Sequence, residues 1–466
     1  MYYRRDTPCF TWWPAYGRLA MVAAYALVLA ALAAVLGYII GLEAPSLYPL
    51  HVAPLGHGVT SCAVALAAAS LVMFAAAVVW RLAEPPRDVL RRQVRRAIAD
   101  PRNGNPLSLK EGQRVPVVSC AEVERGRYSV RLTAGGTTPE RLEATTSAIS
   151  ACLSGRYSRY IVAATSADEA GSFVDLIVED TALDWAIRAE TVADLCATSP
   201  YMISIDQRTA IDLRTSQSIL VAGRTRSGKT YGIIAMLLQV LARGADEHGS
   251  RVVIIDPKGA ELSRLPGVVS PSVDGDMSPI IEAMRSFDEL RRQRQAFLNE
   301  LSEERGEAVR WWDAGMNVSL LFIDEYVSCR AMLADKKQRD EFDGLLRIAA
   351  TMGASAGCYC VLCVAQASVG DAGLSSMVRN ACTTRVLFRP TPDDARLMWP
   401  EGMGSLPSRD YGLGAALFTT TDGVHERPTP VQFPAMAFPE MAELRRLMAD
   451  YGQGGGHAMA PAPNPK

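Results

Sequence analysis

The chain has 466 residues, 49% of them hydrophobic and 21% charged, with a formal net charge of -2. That length exceeds what one small core needs and predicts two or three domains. Near-neutral charge excludes a polypeptide held to nucleic acid by a positive field over its whole surface, although a ring can still keep positive charge inside a channel.

The N-terminal 18 residues precede an uncharged run of 24, Leu19–Leu42. At about 1.5 Å per residue this run is long enough to cross a hydrocarbon core of about 30 Å. Val59–Trp80 is a second uncharged run of 22, and 43–58 between them, with Pro45, Pro49, Pro54, Gly56 and Gly58, predicts a short loop. The segment 19–80 is therefore read as a transmembrane hairpin. Arg4, Arg5 and Arg18 flank the first run, and Arg81, Arg87, Arg91, Arg92, Arg95 and Arg96 follow the second, whereas the loop has no Lys or Arg. This bias predicts a multi-pass membrane protein with both termini in the cytoplasm, and Trp12, Trp13 and Trp80 suit the interfaces. The Arg91–Arg96 cluster suits contact with anionic lipid and simple stop-transfer charge equally.

Residues 81–200 predict a juxtamembrane helix and a small α/β or α+β domain. Strand character lies at 115–120, 127–133, 159–164 and 171–178, and helices are predicted over 138–153 and 181–197. No ligand signature stands in this stretch.

The strand Ser218–Ala222 runs into Gly223-Arg224-Thr225-Arg226-Ser227-Gly228-Lys229-Thr230, a full G-x-x-x-x-G-K-[ST] match followed by an apolar helix from Tyr231 to Leu241. Glycines let backbone N–H groups close around phosphates, and the helix N-terminus favours the anion. The pattern predicts that Lys229 reaches the β- and γ-phosphates of ATP and that Thr230 ligates Mg²⁺. A second buried strand, Arg251–Asp256, is followed by Pro257-Lys258-Gly259-Ala260-Glu261, which puts Asp256, Lys258 and Glu261 beyond a strand's C-terminal end. The third strand, Val318–Ile323, ends in Asp324-Glu325. Apolar residues followed by paired acids predict Asp324 as a Mg²⁺ ligand and Glu325 as the group that polarises the attacking water.

A charged helix at about 281–310, with mixed signs, predicts a solvated or intersubunit face, and Arg330, Lys336, Lys337 and Arg339 read as surface charge. The fourth strand, near Tyr359–Ala365, carries Cys358, Cys360 and Cys363 as core residues rather than metal ligands and ends at Gln366, placed to sense the γ-phosphate. A fifth strand follows at 384–389, and a further short one at 412–418. Parallel strands with helices between them predict an α/β, RecA-like P-loop NTPase domain over 201–440, behind an N-terminal two-helix anchor and before a flexible tail at 441–466.

Residues 201–425 resemble the motor domain of the FtsK/SpoIIIE family of DNA translocases. The landmarks are Gly223–Thr230, Ile255-Asp256-Pro257-Lys258 with Glu261, Phe322-Ile323-Asp324-Glu325-Tyr326, Val364-Ala365-Gln366 and the stretch from Asn380 to Arg389. Asp393, Asp394 and Ala395-Arg396 stand where members place a short acidic helix, ahead of the Gly-rich Leu406–Gly414 segment. The resemblance implies ATP and Mg²⁺ as cofactors and a homo-hexameric ring that threads double-stranded DNA, with single-stranded DNA left open for this chain. It also implies an arginine given to the neighbouring site, with Arg385, then Arg379 and Arg389, as candidates. Chromosome-segregating members carry more spans and a winged-helix domain, and the tail at 451–466 predicts no packed DNA reader. The expected role is therefore that of a coupling ATPase in conjugative transfer of a Gram-positive mobile element, working with a relaxase or other transfer-origin-binding protein and an export channel. The alternatives are a type VII-like protein-secretion ATPase and a chromosome-partitioning pump.

Overall fold

A computed structural model describes residues 2–5, 14–43, 53–168, 170–224, 226–259, 262–366, 374–400, 411–423 and 425–452. The chain divides into two compact units, Met1–Asp180 and Thr181–Lys466.

The first unit begins with two long helices, α1 (Ala15–Glu43) and α2 (Ala53–Ala83). Helix α2 starts inside the stretch expected as loop. Pro54 falls in its first turn, where a missing N–H costs nothing. Small residues recur every seven positions along the helix pair: Ala23, Ala30 and Gly37 on α1, and Ala63, Ser70 and Ala77 on α2, all buried. Such stripes let two backbones approach closely. Large apolar side chains such as Val22, Leu32, Leu71 and Phe74 point outward and are exposed. Only 11% and 17% of the two most apolar windows are buried, too little for the core helices of a water-soluble fold. Both helices are long and apolar enough to cross a membrane.

Helix α3 (Pro86–Ala99) follows, then a four-stranded antiparallel sheet built from β1 (Val117–Glu124), β2 (Arg127–Thr133), β3 (Tyr160–Ala167) and β4 (Phe173–Asp180) in the order β1-β2-β4-β3. Alternation is clear on β2 and β4, where Tyr128, Val130, Leu132, Val174, Leu176 and Val178 are buried. Leu90, Val94 and Ile98 of α3 complete that core. The opposite face is polar and carries the Arg131–Asp175 pair at 2.8 Å. The single helix expected over 138–153 is two short ones, α4 (Pro139–Glu143) and α5 (Thr146–Cys152).

The second unit opens with short elements. The helix expected over 181–197 does not form. Instead β5 (Arg188–Ala189) is followed by one turn, α6 (Val192–Leu195). The Asp194 carboxylate accepts from the Thr191 and Glu190 N–H groups at 2.8 and 3.0 Å, a Thr-x-x-Asp box that starts a helix only at residue 192. A hairpin of β6 (Met202–Ser204) and β7 (Ala210–Asp212) precedes the main sheet.

That sheet contains β8 (Ile219–Gly223), β9 (Val252–Ile255), β10 (Ser319–Ile323), β11 (Cys358–Val364), β12 (Thr384–Phe388), β13 (Ala415–Thr419) and β14 (Thr429–Gln432). The order is β14-β13-β12-β8-β11-β10-β9, with β8, β9, β10, β11 and β12 parallel and β13 and β14 antiparallel to their neighbours. Strands β8, β10, β11 and β12 are buried along their whole length, as covering on both faces requires. Covering the sheet are α7 (Lys229–Leu241), α8 (Ser278–Arg305), α9 (Tyr326–Met332), α10 (Lys336–Met352), α11 (Ser376–Ala381), α12 (Pro392–Met398) and α13 (Glu440–Gly452). A last short strand, β15 (Ala435–Met436), runs parallel to β5. Cys358, Cys360 and Cys363 lie fully buried in β11, and burial pushes the Cys358 thiol up to about 11. Helix α8, expected to present a solvated or intersubunit face, buries Arg291 and Arg294. Arg294 donates to Ala356 O at 2.8 Å and Asn317 O at 2.6 Å.

Candidate active site

Four parallel strands deliver their C-terminal ends to one edge. In register, Ala222 of β8 lies beside Val364 of β11, and Ile323 of β10 lies between Leu362 of β11 and Ile255 of β9. Gly223, Asp256, Asp324 and Ala365 therefore leave the sheet side by side, where open parallel sheets form their sites.

From β8 the chain enters Gly223–Thr230. Gly228 has φ +95°, and a Cβ there would sit 2.7 Å from the Gly414 backbone nitrogen, so only glycine fits between loop and neighbour. This turn starts α7 at Lys229, and the first N–H groups of a helix have no partner within it. The Ser227 hydroxyl is buried beneath the loop with no hydrogen-bond partner. Thr230 is exposed on the first turn. A group that brings several anionic acceptors fits what this loop offers. Thr225 lies outside the described residues.

Two lysines converge on one carboxylate. Lys229 Nζ is 3.6 Å from Glu325 Oε2, and Lys258 Nζ is 3.5 Å from the same atom. Lys229 also donates to Val364 O at 3.4 Å. Glu325 has φ 54°, a left-handed backbone that turns the chain sharply from β10 into α9. Asp324, beside it, has its carboxyl pushed up by burial and by Asp256 and Glu325, while Lys229 and Lys258 pull the other way. A half-buried carboxylate short of positive charge suits a divalent cation, and the exposed Thr230 hydroxyl is a second oxygen donor of the kind Mg²⁺ takes.

Asp256 is fully buried and serves the loop after β9: its carboxylate accepts from Lys258 N at 3.0 Å and Ser263 N at 3.1 Å. It thus fixes the loop that presents Lys258. Glu261 lies outside the described residues.

Beyond β11, Gln366 is exposed and donates to Asp394 Oδ1 at 3.4 Å. Asp394 is buried at the start of α12, where Arg224 Nε reaches its Oδ2 at 3.1 Å and the Thr391 hydroxyl donates at 2.7 Å. Asp394 thereby joins the residue after Gly223 to Gln366, two residues past the end of β11. The family resemblance marked Asp394 only as part of a short acidic helix. The Thr391-Pro392-Asp393-Asp394 run is a helix-start signal, but nothing in it announces the long-range partner Arg224.

Arg385, expected as the arginine offered to a neighbouring subunit, does not reach an exposed edge. It is 8% exposed, and its guanidinium donates to Cys382 O at 3.1 Å and Met398 O at 2.8 Å. Those carbonyls terminate α11 and α12, so Arg385 ties both helix ends to β12. Arg389 is exposed, with φ 46°, and donates to Arg226 O at 3.4 Å and Tyr411 O at 3.1 Å. Arg379 is half-buried, and its Nε has no hydrogen-bond partner.

Residues 188–318 match the family described as FtsK/SpoIIIE. The likeness to that family's model is thus confined to residues 188–318, under a third of the chain. The matched stretch holds Gly223–Thr230 and Asp256–Lys258 and ends just before β10, so Asp324, Glu325, Gln366 and Arg385 lie outside it. Among curated proteins, the FtsK domain-containing protein YdcQ of Bacillus subtilis is 30% identical over 145 residues, covering 31% of this chain and 28% of its own. The DNA translocase FtsK of Pseudomonas putida is 40% identical over 86 residues, covering 18% and 10%. That of Helicobacter pylori is 27% identical over 218 residues, covering 45% and 24%. The chain thus spans less than a third of the length of these curated relatives. Among solved structures, it is similar to the monomer form of the pCW3 conjugation coupling protein TcpA with ATPγS, at 14% identity and TM-score 0.43, covering 74% of this chain and 95% of that one. It is also similar to ATPases 2 and 3 of EssC from Geobacillus thermodenitrificans, at 14% identity and TM-score 0.40, covering 58% and 52%.

Proposed function

We propose that this chain is a membrane-anchored ATPase that translocates DNA as a homo-hexamer, serving as the coupling protein in conjugative transfer of a mobile element. The observation that carries the ATPase part is the convergence of Lys229 and Lys258 on Glu325 at the sheet edge, with Asp324 and Thr230 beside them. The strand order, with β11 inserted between the P-loop strand and the acid-bearing strand, supports a RecA-like P-loop fold. The names of the Pseudomonas and Helicobacter relatives support DNA as what is moved. Helices α1 and α2 support a membrane anchor, with motor and termini in the cytoplasm.

In this reading, the amides from Gly223 to Thr230 bind the phosphates of ATP, and Lys229 neutralises their charge. Thr230 and Asp324 hold Mg²⁺, which supplies Lewis-acid polarisation of the phosphoryl oxygens when bound. Lys229 turning toward phosphate leaves Glu325 to Lys258 alone, free to orient a water and accept its proton. Gln366 hydrogen-bonds at the γ-phosphate end and passes its state through Asp394 to Arg224. Arg389, exposed beside the loop, replaces Arg385 as the first choice for the arginine given to a neighbour, followed by Arg379. Glu261 and Thr225 keep their proposed places at the nucleotide. DNA is double-stranded in the first instance, and selection of the element's own DNA comes from a relaxase or another transfer-origin-binding protein, with an export channel as the exit.

The test is the ATPase rate of the full-length protein in nanodiscs with duplex DNA, single-stranded DNA or none, at two salt concentrations. Either DNA should raise the rate across unrelated sequences, and the effect should shrink steeply as salt rises, because contact is to phosphates. Stimulation by a secreted protein with indifference to both DNAs would favour protein export instead.

A further inference from the structure

Helix α3 turns its apolar side, Leu90, Val94 and Ile98, into the core of the first unit. Its other side presents Asp88, Arg91, Arg92 and Arg95, a spacing that forms one stripe on a helix. That stripe walls a cleft of ≈ 660 Å³ whose other walls come from the start of α1, with Tyr16 and Arg18, and the end of α2, with Trp80. The cleft therefore lies at the end of the hairpin where α1 begins and α2 finishes.

Four arginines, Arg18, Arg91, Arg92 and Arg95, line it beside two acids, Glu84 and Asp88. Arg92 is bound to Glu84, with Nη2 to Oε2 at 2.8 Å, and lies over the Tyr16 ring at 5.6 Å, so it forms a fixed rim. The Arg91–Asp88 pair at 3.3 Å is open to solvent, and such pairs are weak. Arg18 and Arg95 are exposed. Near the end of α2, Trp80, Val79 and Leu82 are 51%, 65% and 81% exposed. Within one helical turn the surface changes from apolar to cationic, so its complement has an anionic head joined to an apolar tail.

We propose that this cleft is a binding site for the phosphate headgroup of an anionic glycerophospholipid, whose acyl chains lie along the exposed apolar surface of α1 and α2. The proposal rests on α1 and α2 spanning a membrane. The phosphate sits between Arg18, Arg91 and Arg95, and the indole of Trp80 lies at the glycerol level, where amphipathic rings are favoured. Free inorganic phosphate shares the head chemistry but lacks the tail.

The experiment is native mass spectrometry of the full-length, delipidated protein with phosphatidylglycerol, phosphatidylcholine of the same chains, or inorganic phosphate. Wild type should retain phosphatidylglycerol roughly tenfold better than phosphatidylcholine, and R91Q/R95Q should lose most of that preference. Arg125→Gln, exposed on the turn between β1 and β2, should keep it. Equal retention of the two lipids, an unchanged preference in the double variant, or displacement of phosphatidylglycerol by millimolar phosphate would each overturn the site. Because R91Q/R95Q can fail to fold, R18Q is measured beside it, and a preference unchanged in R18Q as well counts against the site. Alkaline extraction of native membranes separates the two readings: release of the wild-type chain removes the anchor itself, whereas retention without lipid preference removes only the cleft.

Discussion

Glu325 occupies a left-handed backbone conformation that costs a non-glycine residue roughly 1–2 kcal/mol, and it does so where two lysines meet its side chain. In the proposed function, local strain held at a converging cluster makes Glu325 the residue on which turnover depends. In Glu325→Gln, nucleotide binding should stay within about threefold of wild type, because the loop and the metal ligands remain, while turnover falls by roughly 10²–10⁴. Lys229→Ala should weaken nucleotide binding by about tenfold or more, since the cation facing the phosphates is gone. Fluorescent-nucleotide titration and phosphate release on both variants check this, and normal hydrolysis by Glu325→Gln would remove Glu325 from its role. Asp394 belongs to the same scale. It holds Arg224 and Gln366 from opposite oxygens, so Arg224→Ala and Asp394→Asn should be non-additive in kcat by roughly 1 kcal/mol, with KM for ATP little changed. Additive effects would reduce the contact to surface decoration.

At the scale of elements, Arg385 fastens rather than reaches. Its removal leaves the Cys382 and Met398 carbonyls buried without a donor, and Arg385→Ala should destabilise the protein by about 3 kcal/mol or more, read as a lower melting temperature and poor soluble yield. A well-folded Arg385→Ala protein that poisons wild-type ATPase when mixed in would restore it as the arginine given in trans. This difference explains what was legible in the sequence. Strands β8–β12 could be read because runs such as Ile219–Ala222 and Leu320–Ile323 are apolar without interruption, which only a doubly covered sheet demands. Gly223–Thr230 and Asp324-Glu325 could be read because they follow those runs directly. Charge misled wherever burial was decided by distant partners. Arg294 looks solvated along α8 and Arg385 looks available along β12, yet each is matched by a carbonyl from another element, and Arg291 is buried against Asp288 of its own helix. The 181–197 stretch misled for a related reason: Ala-rich propensity gave way to a strand partner, β15, that lies some 245 residues downstream.

For the molecule as a whole, near-neutral charge and phosphate recognition have to be reconciled. With a net charge of -2, a single chain has little attraction for a polyanion, so the proposed function requires a positive surface assembled when copies bring equivalent loops around one axis. DNA stimulation should accordingly follow the hexameric fraction and not the total protein concentration. The small-residue stripes of α1 and α2 pair the two helices within one chain and leave an apolar exterior. Translocation itself is the central claim, and displacement of a triplex-forming oligonucleotide from linear duplex DNA tests it most directly. With the full-length protein in nanodiscs, ATP should drive displacement regardless of flanking sequence, and Glu325→Gln should abolish it. A hexameric, DNA-stimulated preparation that hydrolyses ATP yet leaves the third strand in place on duplex of every sequence would contradict the account.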